Sequence, residues 1–222
     1  MLLAIDTSTR LVGVALYDGV QIVSEMVWLS QQYHTVELAP TVNSLLERAG
    51  IPVSELEVVA VALGPGSFTG LRIGLSLAKG MALAGHLAIV GVPTLDILAA
   101  SQPPHDIPLA AVLQAGRGRL AVGWYGFYSK NWQSDGQIGL LSAEDLSAKI
   151  IKPTIVCGEL TEYERRIFRR KRKNVILATP AQSLRRPSYL AEIGWQRWQR
   201  GMTDDPATLA PNYLHHNQPS SV

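Results

Sequence analysis

The chain has 222 residues, of which 47% are hydrophobic, and a formal net charge of +2. These values are typical of a globular protein of one large or two small domains, and they exclude both a disordered chain and the strong overall field that attracts nucleic acids. The single cysteine, Cys157, excludes an internal disulfide and a cysteine-rich zinc site, and it leads us to expect a reducing, cytoplasmic compartment.

The first half of the chain predicts strands that alternate with helices. Residues 2–6 form a short apolar run without a basic flank, which indicates a buried strand rather than a signal peptide. Asp18-Gly19 between two apolar runs predicts a hairpin, because both residues tolerate positive φ. The predicted elements, in chain order, are strands at 2–6, 11–17 and 20–28, a helix at 33–49, a strand at 58–63, a helix at 69–85, a strand at 87–92 and a short helix from 94.

The helix at 69–85 has unusually little polar surface. Small residues recur at intervals of four along one side of it, namely Gly70, Gly74, Ala78 and Ala82. This pattern fits an internal helix of an α/β core or a subunit interface where another helix approaches closely. A membrane span fits this helix less well than either alternative, because Arg72, Lys79 and His86 interrupt the run before the ~20 apolar residues that a bilayer requires.

A similar order of elements restarts after a proline-bearing connector at 101–106. The predicted elements are strands at 109–113, 119–128 and 136–141, a helix at 143–149, a strand at 154–157, a helix at 163–172 and a final helix at 187–200. Two βββαβα halves of similar length predict an α/β protein with two ribonuclease-H-like lobes. We place the lobes at residues 1–102 and 103–222, the second with the terminal helix.

The densest motif joins the strand at 58–63 to the helix at 69–85. It reads Gly64-Pro65-Gly66-Ser67-Phe68-Thr69-Gly70. Glycine tolerates positive φ and proline removes a donor, so the chain can turn sharply there, and Ser67 or Thr69 can cap the helix that follows. The loop is similar to a phosphate cradle, but it lacks the lysine of a Walker motif.

Three segments together resemble the bacterial TsaB (YeaZ) family. They are Ile5-Asp6-Thr7-Ser8, the run from Leu63 to Gly74, and Ala210-Pro211-Asn212-Tyr213-Leu214. The resemblance spans nearly the whole chain, and its central run is too long for chance agreement. It implies the fold of the actin/Hsp70/sugar-kinase (ASKHA) superfamily and a degenerate paralogue of TsaD.

The same resemblance implies a non-catalytic scaffold subunit that assembles with TsaD and the ATPase TsaE. That complex forms N6-threonylcarbamoyladenosine (t6A) beside the anticodon of tRNAs that read codons beginning with A. The resemblance further implies no catalytic residue, metal or cofactor of this chain's own, since ATP and metal are expected on the partner subunits, and no membrane association.

Several positions depart from what an active paralogue needs. TsaD-like proteins carry a His-x-x-x-His metal pair where this chain has Thr94 and Leu98. The second lobe has Gln114 where many TsaB relatives have an aspartate, and an amide cannot supply the charge that holds Mg²⁺.

What remains of a nucleotide site is Asp6, Thr7 and Ser8, which we regard as vestigial. Asp6 is equally explained as a strand-end carboxylate bonded to its own turn. The alternatives to a scaffold are an autonomous ASKHA-type ATPase or kinase and a metallopeptidase-like enzyme. Both predict metal-dependent turnover by the chain alone.

We expect the TsaD interface on the first two helices. Its residues are His34, Glu37, Leu38 and Thr41 on the first helix and Leu71, Gly74, Leu75, Ala78 and Ala82 on the second. His34, Glu37 and Thr41 share one face, and with no further histidine nearby an interface stripe explains them better than a metal site. Without TsaD, the same surface can form a homodimer. Exchange of Gly74 for leucine is expected to abolish the heterodimer without unfolding the monomer.

Basic residues form one strong local charge signal, at Arg165, Arg166, Arg169, Arg170, Lys171, Arg172 and Lys173. A basic cluster is the electrostatic footprint of RNA binding, so these residues are candidates for tRNA contact. The alternative is a solvated helix end, because cations stabilise helix C-termini.

Overall fold

The computed structural model describes residues 1–31, 34–171 and 173–214, with only the backbone of His34. The strands are β1 (Leu2–Asp6), β2 (Leu11–Tyr17), β3 (Ile22–Leu29), β4 (Val58–Ala62), β5 (Ala88–Val92), β6 (Leu109–Gln114), β7 (Leu120–Tyr128), β8 (Asn131–Leu141), β9 (Thr154–Gly158) and β10 (Val175–Leu177). The helices are α1 (His34–Ala49), α2 (Phe68–Gly85), α3 (Thr94–Ala100), α4 (Ala143–Lys149), α5 (Glu162–Arg170) and α6 (Pro187–Gln199).

Two five-stranded sheets repeat one topology. The first has the order β3-β2-β1-β4-β5, and the second has the order β8-β7-β6-β9-β10. In each sheet the central strand pairs antiparallel with one neighbour, β2 or β7, and parallel with the other, β4 or β9. The predicted fold of two βββαβα halves is confirmed.

Both faces of the first sheet are covered by helices. Leu3 and Ile5 of β1 point to the layer that α1 and α2 form, whereas Leu2 and Ala4 point to α6 on the opposite face. All four side chains are fully buried. A strand that is buried on both faces needs no polar alternation, which explains the uninterrupted apolar run of β1.

The last helix of each half packs on the sheet of the other half. α3 follows the first sheet, but its Leu95 and Leu98 belong to the core of the second sheet. α6 follows the second sheet, but its Leu190 and Ala191 pack against the first, beside Leu2. The terminal helix, which we assigned to the second lobe by its place in the sequence, therefore packs on the first sheet.

Polar contacts reinforce this exchange of helices. The hydroxyl of Tyr125 on β7 donates to Asp96 of α3 at 2.8 Å. Arg197 of α6 lies 3.6 Å from the same carboxylate. Burial raises the pKa of Asp96, although both contacts oppose that shift. One carboxylate thus joins elements of both lobes.

Glu25 of β3 fixes the start of α6. Its carboxylate accepts hydrogen bonds from the amide of Ser188 at 3.0 Å and from Nε of Arg186 at 3.0 Å. Burial raises the pKa of Glu25, but these hydrogen bonds outweigh burial and hold the pKa below its ordinary value. A carboxylate at this position also interacts favourably with the helix dipole.

Two strands of the second sheet differ from the predicted ones. β10 has only three residues, too few to carry a pattern, and β8 begins at Asn131 rather than 136. β8 is an edge strand whose side chains are mostly exposed and polar, so hydrophobic periodicity does not mark its start. Among the described residues, no helix combines the length and the hydropathy that crossing a membrane requires.

Candidate functional site

The glycine motif packs onto the turn that follows β1. A Cβ atom at Gly66 would lie 2.2 Å from the carbonyl oxygen of Ser8, and one at Gly70 would lie 2.3 Å from that of Thr7. Gly64 has a φ of +105°, which favours glycine, and it precedes a cis-proline peptide bond. Close backbone approach and positive φ therefore explain the glycine at these three positions.

Hydrogen bonds fasten the motif to the β1 turn. The amide of Ser67 donates to the carbonyl oxygen of Ser8 at 2.6 Å, and the hydroxyl of Thr7 donates to that of Gly70 at 2.7 Å. The hydroxyl of Ser67 caps α2 by accepting from the amide of Gly70 at 3.2 Å. Because the amides of Ser67 and Gly70 are already bonded, the loop does not offer them to a phosphate group.

Thr94 stands at the position of the first TsaD-like histidine and is fully buried. Its hydroxyl accepts from the amide of Gly64 at 2.9 Å and lies 2.8 Å from the hydroxyl of Ser8. Leu98, at the position of the second histidine, is buried in the core. These two residues hold the motif loop and fill the core, and neither offers a nitrogen ligand to a metal.

A buried guanidinium joins the two lobes behind the motif. Arg185, in the segment before α6, is fully buried and forms an ion pair with Asp6 at the end of β1. Its Nη1 lies 2.6 Å from Oε1 of Glu159, which follows β9 of the second sheet. Its Nη2 donates to the hydroxyl of Thr9 at 3.0 Å and to the carbonyl oxygen of Leu11 at 2.8 Å. One side chain thus connects Asp6 of the first lobe with Glu159 of the second.

This pairing determines what Asp6 can do. Burial lowers the pKa of Arg185, but the carboxylates of Asp6 and Glu159 outweigh burial and keep it above its ordinary value, so the guanidinium stays charged. It occupies Oδ2 of Asp6, while Oδ1 accepts from the amide of Ser8 at 2.9 Å. Asp6, Thr7 and Ser8 are all buried and bonded within the chain. The side chains of the predicted vestigial nucleotide site are therefore all engaged within the chain.

Gln114 at the end of β6 belongs to a second, partly buried polar cluster. Its Nε2 donates to Oε2 of Glu164 at 2.7 Å and to the carbonyl oxygen of Glu159 at 3.1 Å. The same Oε2 accepts from the amide of Thr161 at 2.6 Å and completes a capping box at the start of α5. An aspartate at position 114 would bring its charge toward Glu164, so an amide donor suits this position better than a carboxylate.

A cleft of about 700 Å³ opens between the lobes beside these clusters. Its walls come from the motif loop at 65–68, from residues 113–116 at the end of β6 and from Tyr213 and Leu214 near the C-terminus. Thr9, Arg10 and Glu159 add polar side chains to its lining. The described residues contain no group of three His, Cys, Asp or Glu side chains that could hold a metal ion.

Most residues of the predicted partner interface point into the chain. The buried ones are Leu38, Leu71, Gly74, Leu75, Ala78 and Ala82. A Cβ atom at Gly74 would lie 2.2 Å from Oγ1 of Thr7, so the small-residue groove receives the chain's own β1 turn and not another subunit. Glu37 and Thr41 are half-buried, and the side chain of His34 lies outside the described residues. The buried residues cannot contact a partner, and leucine at Gly74 would disturb the monomer itself.

The outward face of α1 and α2 consists of other residues, most of them uncharged. It contains a depression of about 500 Å³ lined by Thr35, Leu38, Ala39, Phe68, Thr69, Arg72, Ile73, Ser76 and Leu77. Gly80 and Leu83 extend this face along α2, and Leu83 is 66% exposed. A Cβ atom added at Gly80 would have no other atom within 4 Å, apart from its chain neighbours and the nearby backbone of its own helix. We call Thr35, Ala39, Thr69, Ile73, Ser76, Leu77, Gly80 and Leu83 the outer helix face.

Phe68, Arg72 and Tyr213 form a cluster between the depression and the cleft. The guanidinium carbon of Arg72 lies 3.8 Å from the centroid of the Phe68 ring, and its Nε donates to the hydroxyl of Tyr213 at 2.7 Å. The two aromatic rings are 5.0 Å apart, and Phe68 is 55% exposed. The cluster ties the C-terminal segment to α2 and adds aromatic surface beside the outer helix face.

The predicted basic segment has two kinds of residue. Arg165 donates to the carbonyl oxygen of Ala178 at 3.3 Å, and Lys171 donates to that of Ser147 at 2.5 Å, so both are half-buried and bonded. The exposed ones are Arg166, Arg169, Arg170 and Lys173. Arg172 lies outside the described residues.

Comparison with known proteins agrees with this geometry. The family model of TsaD, tRNA N6-adenosine threonylcarbamoyltransferase, matches residues 28–218. The tRNA threonylcarbamoyladenosine biosynthesis protein TsaB of Bacillus subtilis is 30% identical over 221 residues, which cover 96% of this chain and 93% of that protein. The structure of YeaZ from Pseudomonas aeruginosa is similar with a TM-score of 0.78 at 28% identity, and the match covers 96% of this chain and 99% of that one.

A more distant neighbour shares the fold alone. The ROK hexokinase of Thermus thermophilus has a TM-score of 0.50 at 9% identity, and the match covers 89% of this chain and 99% of that one. The ASKHA fold is thus common to this chain and to a sugar kinase, whereas the sequence similarity is confined to nearer relatives. Near full-length similarity to TsaB and YeaZ, with the glycine motif packed on the β1 turn, shows that this chain belongs to the TsaB (YeaZ) family.

Proposed function

We propose that this chain is a non-catalytic subunit in the biosynthesis of t6A in tRNA and that it acts by binding a TsaD subunit. Its relatives are named for this pathway, and the family model of TsaD matches most of its length. The observation that carries the proposal is the ion pair between Asp6 and Arg185, since it occupies the carboxylate that an active paralogue would use.

Other placements support a subunit without turnover of its own. Gln114 is uncharged and donates to Glu164, so the second lobe has no carboxylate at the matching strand end. Thr94 and Leu98 replace the metal-binding histidines and are buried. The alternatives, an ASKHA-type ATPase or kinase and a metallopeptidase-like enzyme, both depend on groups of these kinds.

We place the TsaD contact on the outer helix face. Leu83 exposes apolar surface on α2, the half-buried Ile73 and Leu77 add apolar lining to the depression, and Arg72 is the charged side chain beside it. An exposed apolar face of this kind is typical of a protein interface. When TsaD is absent, the same face can pair with a second copy of this chain, and TsaE joins the assembled complex. Such a complex belongs to the cytoplasm, in keeping with the free thiol of Cys157.

Substitution at Gly80 tests this placement. Gly80→Trp fills the outer helix face, whereas Gly80→Ala adds only a methyl group, and the open surroundings of Gly80 accept either side chain. Alanine is about 1 kcal/mol more favourable than glycine in a helix, and tryptophan is also more favourable than glycine, so both variants should remain folded. Titration with TsaD should show parental affinity for Gly80→Ala and at least a tenfold loss for Gly80→Trp. Equal affinity of the two variants would place the interface elsewhere.

Reconstitution tests the non-catalytic role. Transfer of threonylcarbamoyl to tRNA is measured with TsaD, TsaE and the activated donor, in the presence and absence of this chain. We expect modification to require the chain, and the chain alone to show no metal-dependent hydrolysis of ATP. Turnover by the chain alone, together with modification that is indifferent to it, would favour the kinase alternative.

A further inference from the structure

Positive charge is concentrated on one side of the second lobe. Residues 162–173 contain seven of the chain's 20 basic residues and two of its 18 acidic ones. This segment therefore has a formal charge of +5, and the remainder of the chain has a formal charge of −3. The small net charge of the protein thus conceals a strong local field.

Local carboxylates leave most of this charge uncompensated. Glu164 is buried and takes part in the capping box of α5. Glu162 lies 3.5 Å from Arg169, but both side chains are exposed, and such pairs contribute little. Three cations form no ion pair with any carboxylate of the described residues, namely Arg166, Arg170 and Lys173.

Three exposed cations share one side of α5. Arg166, Arg169 and Arg170 follow the spacing i, i+3 and i+4, which brings side chains together on a helix surface, and the exposed Lys173 lies just beyond the C-terminal end of the helix. Phe168, which is fully buried, marks the opposite side of the helix. The cations therefore form a stripe and do not surround the helix.

The end of α4 adds further cations to this stripe. Nζ of Lys171 donates to the carbonyl oxygen of Ser147 at 2.5 Å, and Nδ2 of Asn174 donates to that of Ile150 at 3.5 Å, so the two helix ends are in contact. Lys149 and Lys152 beside them are exposed. We call Lys149, Lys152, Arg166, Arg169, Arg170 and Lys173 the basic face.

Stabilisation of helix ends does not explain the basic face. The field of a helix dipole acts mainly within the last turn. Arg166 lies in the middle of α5, and Lys152 and Lys173 follow the ends of their helices. These three cations gain little from the dipole, so a ligand outside the chain is the better explanation.

We propose that the basic face binds the phosphate backbone of tRNA. This inference rests on the proposed function, which makes tRNA the polyanion that the complex handles. Arginine guanidinium groups bind phosphate oxygens in pairs of hydrogen bonds, and a row of them matches the repeated phosphates of a nucleic-acid strand. Contacts of this kind position the RNA and do not read its sequence.

The position of the basic face is compatible with the proposed TsaD contact. α4 and α5 cover one face of the second sheet, whereas α1 and α2 cover a face of the first sheet. The helices α3 and α6, which contact both lobes, lie on the other faces of these sheets. A TsaD subunit on the outer helix face therefore leaves the basic face open to RNA.

The test compares two triple variants of equal charge change. Arg166→Gln/Arg170→Gln/Lys173→Gln removes three of the six cations of the basic face, and Arg48→Gln/Lys130→Gln/Arg200→Gln removes three exposed cations elsewhere. Each full-length protein is titrated against a fluorescent, unmodified tRNA transcript at several salt concentrations, alone and in complex with TsaD. We expect the basic-face variant to bind about tenfold more weakly in 0.1 M salt and the slope of log K against log[salt] to fall by about 2. The control should stay within about twofold of the parent.

Three outcomes would overturn the inference, each in a distinct way. Equal loss in both triple variants would show that only the net charge matters. Loss of binding to vesicles with anionic lipids, with unchanged tRNA affinity, would assign the basic face to a membrane. Loss of TsaD affinity in the basic-face variant would make it part of the subunit interface. Conversely, if the parent fails to bind TsaD but the basic-face variant alone loses tRNA, the proposed function fails and the RNA surface remains.

Discussion

Replacement of Arg185 by methionine should lower the free energy of unfolding by about 4–6 kcal/mol. The variant removes the donors that serve Asp6, Glu159, Thr9 and the carbonyl oxygen of Leu11. Removing one partner of a buried ion pair costs about 3–5 kcal/mol, because the other charge stays buried without compensation. The unpaired carbonyl oxygen adds about 1 kcal/mol.

A double-mutant cycle separates the ion pair from its surroundings. Asp6→Asn leaves Arg185 paired with Glu159, so we expect a loss of only about 1–2 kcal/mol. In Asp6→Asn/Arg185→Met the uncompensated charge at position 6 is gone. The double variant should therefore lose at least about 1–2 kcal/mol less than the sum of the two single variants.

Urea unfolding followed by circular dichroism measures all four proteins at pH 7. For a chain of this length, a change of 1 kcal/mol in unfolding free energy shifts the melting temperature by roughly 2–4 °C. The melting temperature of Arg185→Met should therefore lie roughly 10–20 °C below that of the parent. The m-values should agree, since the same surface is exposed on unfolding. A loss below about 1 kcal/mol for Arg185→Met, or strict additivity in the cycle, would refute the buried ion pair as a determinant of stability.

Three further outcomes follow from local chemistry. Glu25→Gln should lower the unfolding free energy by about 1 kcal/mol at pH 7. This difference from the parent should shrink as the pH falls below 4.5, because the pKa of Glu25 is lowered in the folded protein and its carboxylate stabilises the fold only while it is charged. Parallel curves of unfolding free energy against pH for the two proteins, from pH 7 to pH 3, would contradict this. Cys157 should resist thiol reagents until the chain unfolds, because burial raises its pKa to about 12; rapid labelling of the native protein is the opposing result. Gly74→Ala should lower the melting temperature, because the added methyl group would clash with Thr7. Gly80→Ala should raise the melting temperature, because alanine favours a helix more than glycine does. Shifts of the same sign would show that the assignment of Gly74 to the inner side of α2 and of Gly80 to its outer side is wrong.

Local patterns predicted most of the fold. The hairpin at Asp18-Gly19 forms as expected, with Gly19 at a φ of +96° and the carboxylate of Asp18 accepting from the amides of Val20 and Gln21. The glycine motif between β4 and α2 identified the family and set the start of the helix at its Ser67 cap. Both features depend on residues that are close in sequence, so the local sequence is enough to predict them.

The orientation of α2 could not be predicted, because both of its sides are apolar. Gly74 and Ala78 look like a docking groove, yet both are buried within the chain, while the half-buried Ile73 and Leu77 line the depression on the other side. Sequence periodicity shows which residues share a side of a helix, but it predicts which side is buried only when the opposite side is polar. Packing against the β1 turn made the choice here.

Arg185 is the functional residue that the sequence hides most completely. It stands next to Arg186 and Pro187 in a segment that resembles a solvated loop, and its partner Asp6 lies 179 positions away. An arginine forms a buried ion pair only when the fold brings a carboxylate next to it, and no local sequence pattern predicts that contact. Lys149 and Lys152 joined the basic face for the same reason, since a contact between α4 and α5 placed them there.

The exchange of helices between the lobes decides how this protein can be divided. A cut near residue 102 would separate the first sheet from α6 and the second sheet from α3, so each fragment would expose one apolar face to water. Fragments 1–102 and 103–222 should therefore aggregate when made separately and recover the native core only when they are made together. The two halves share one topology, but each depends on a helix of the other for half of its core, so neither is expected to fold as an independent domain.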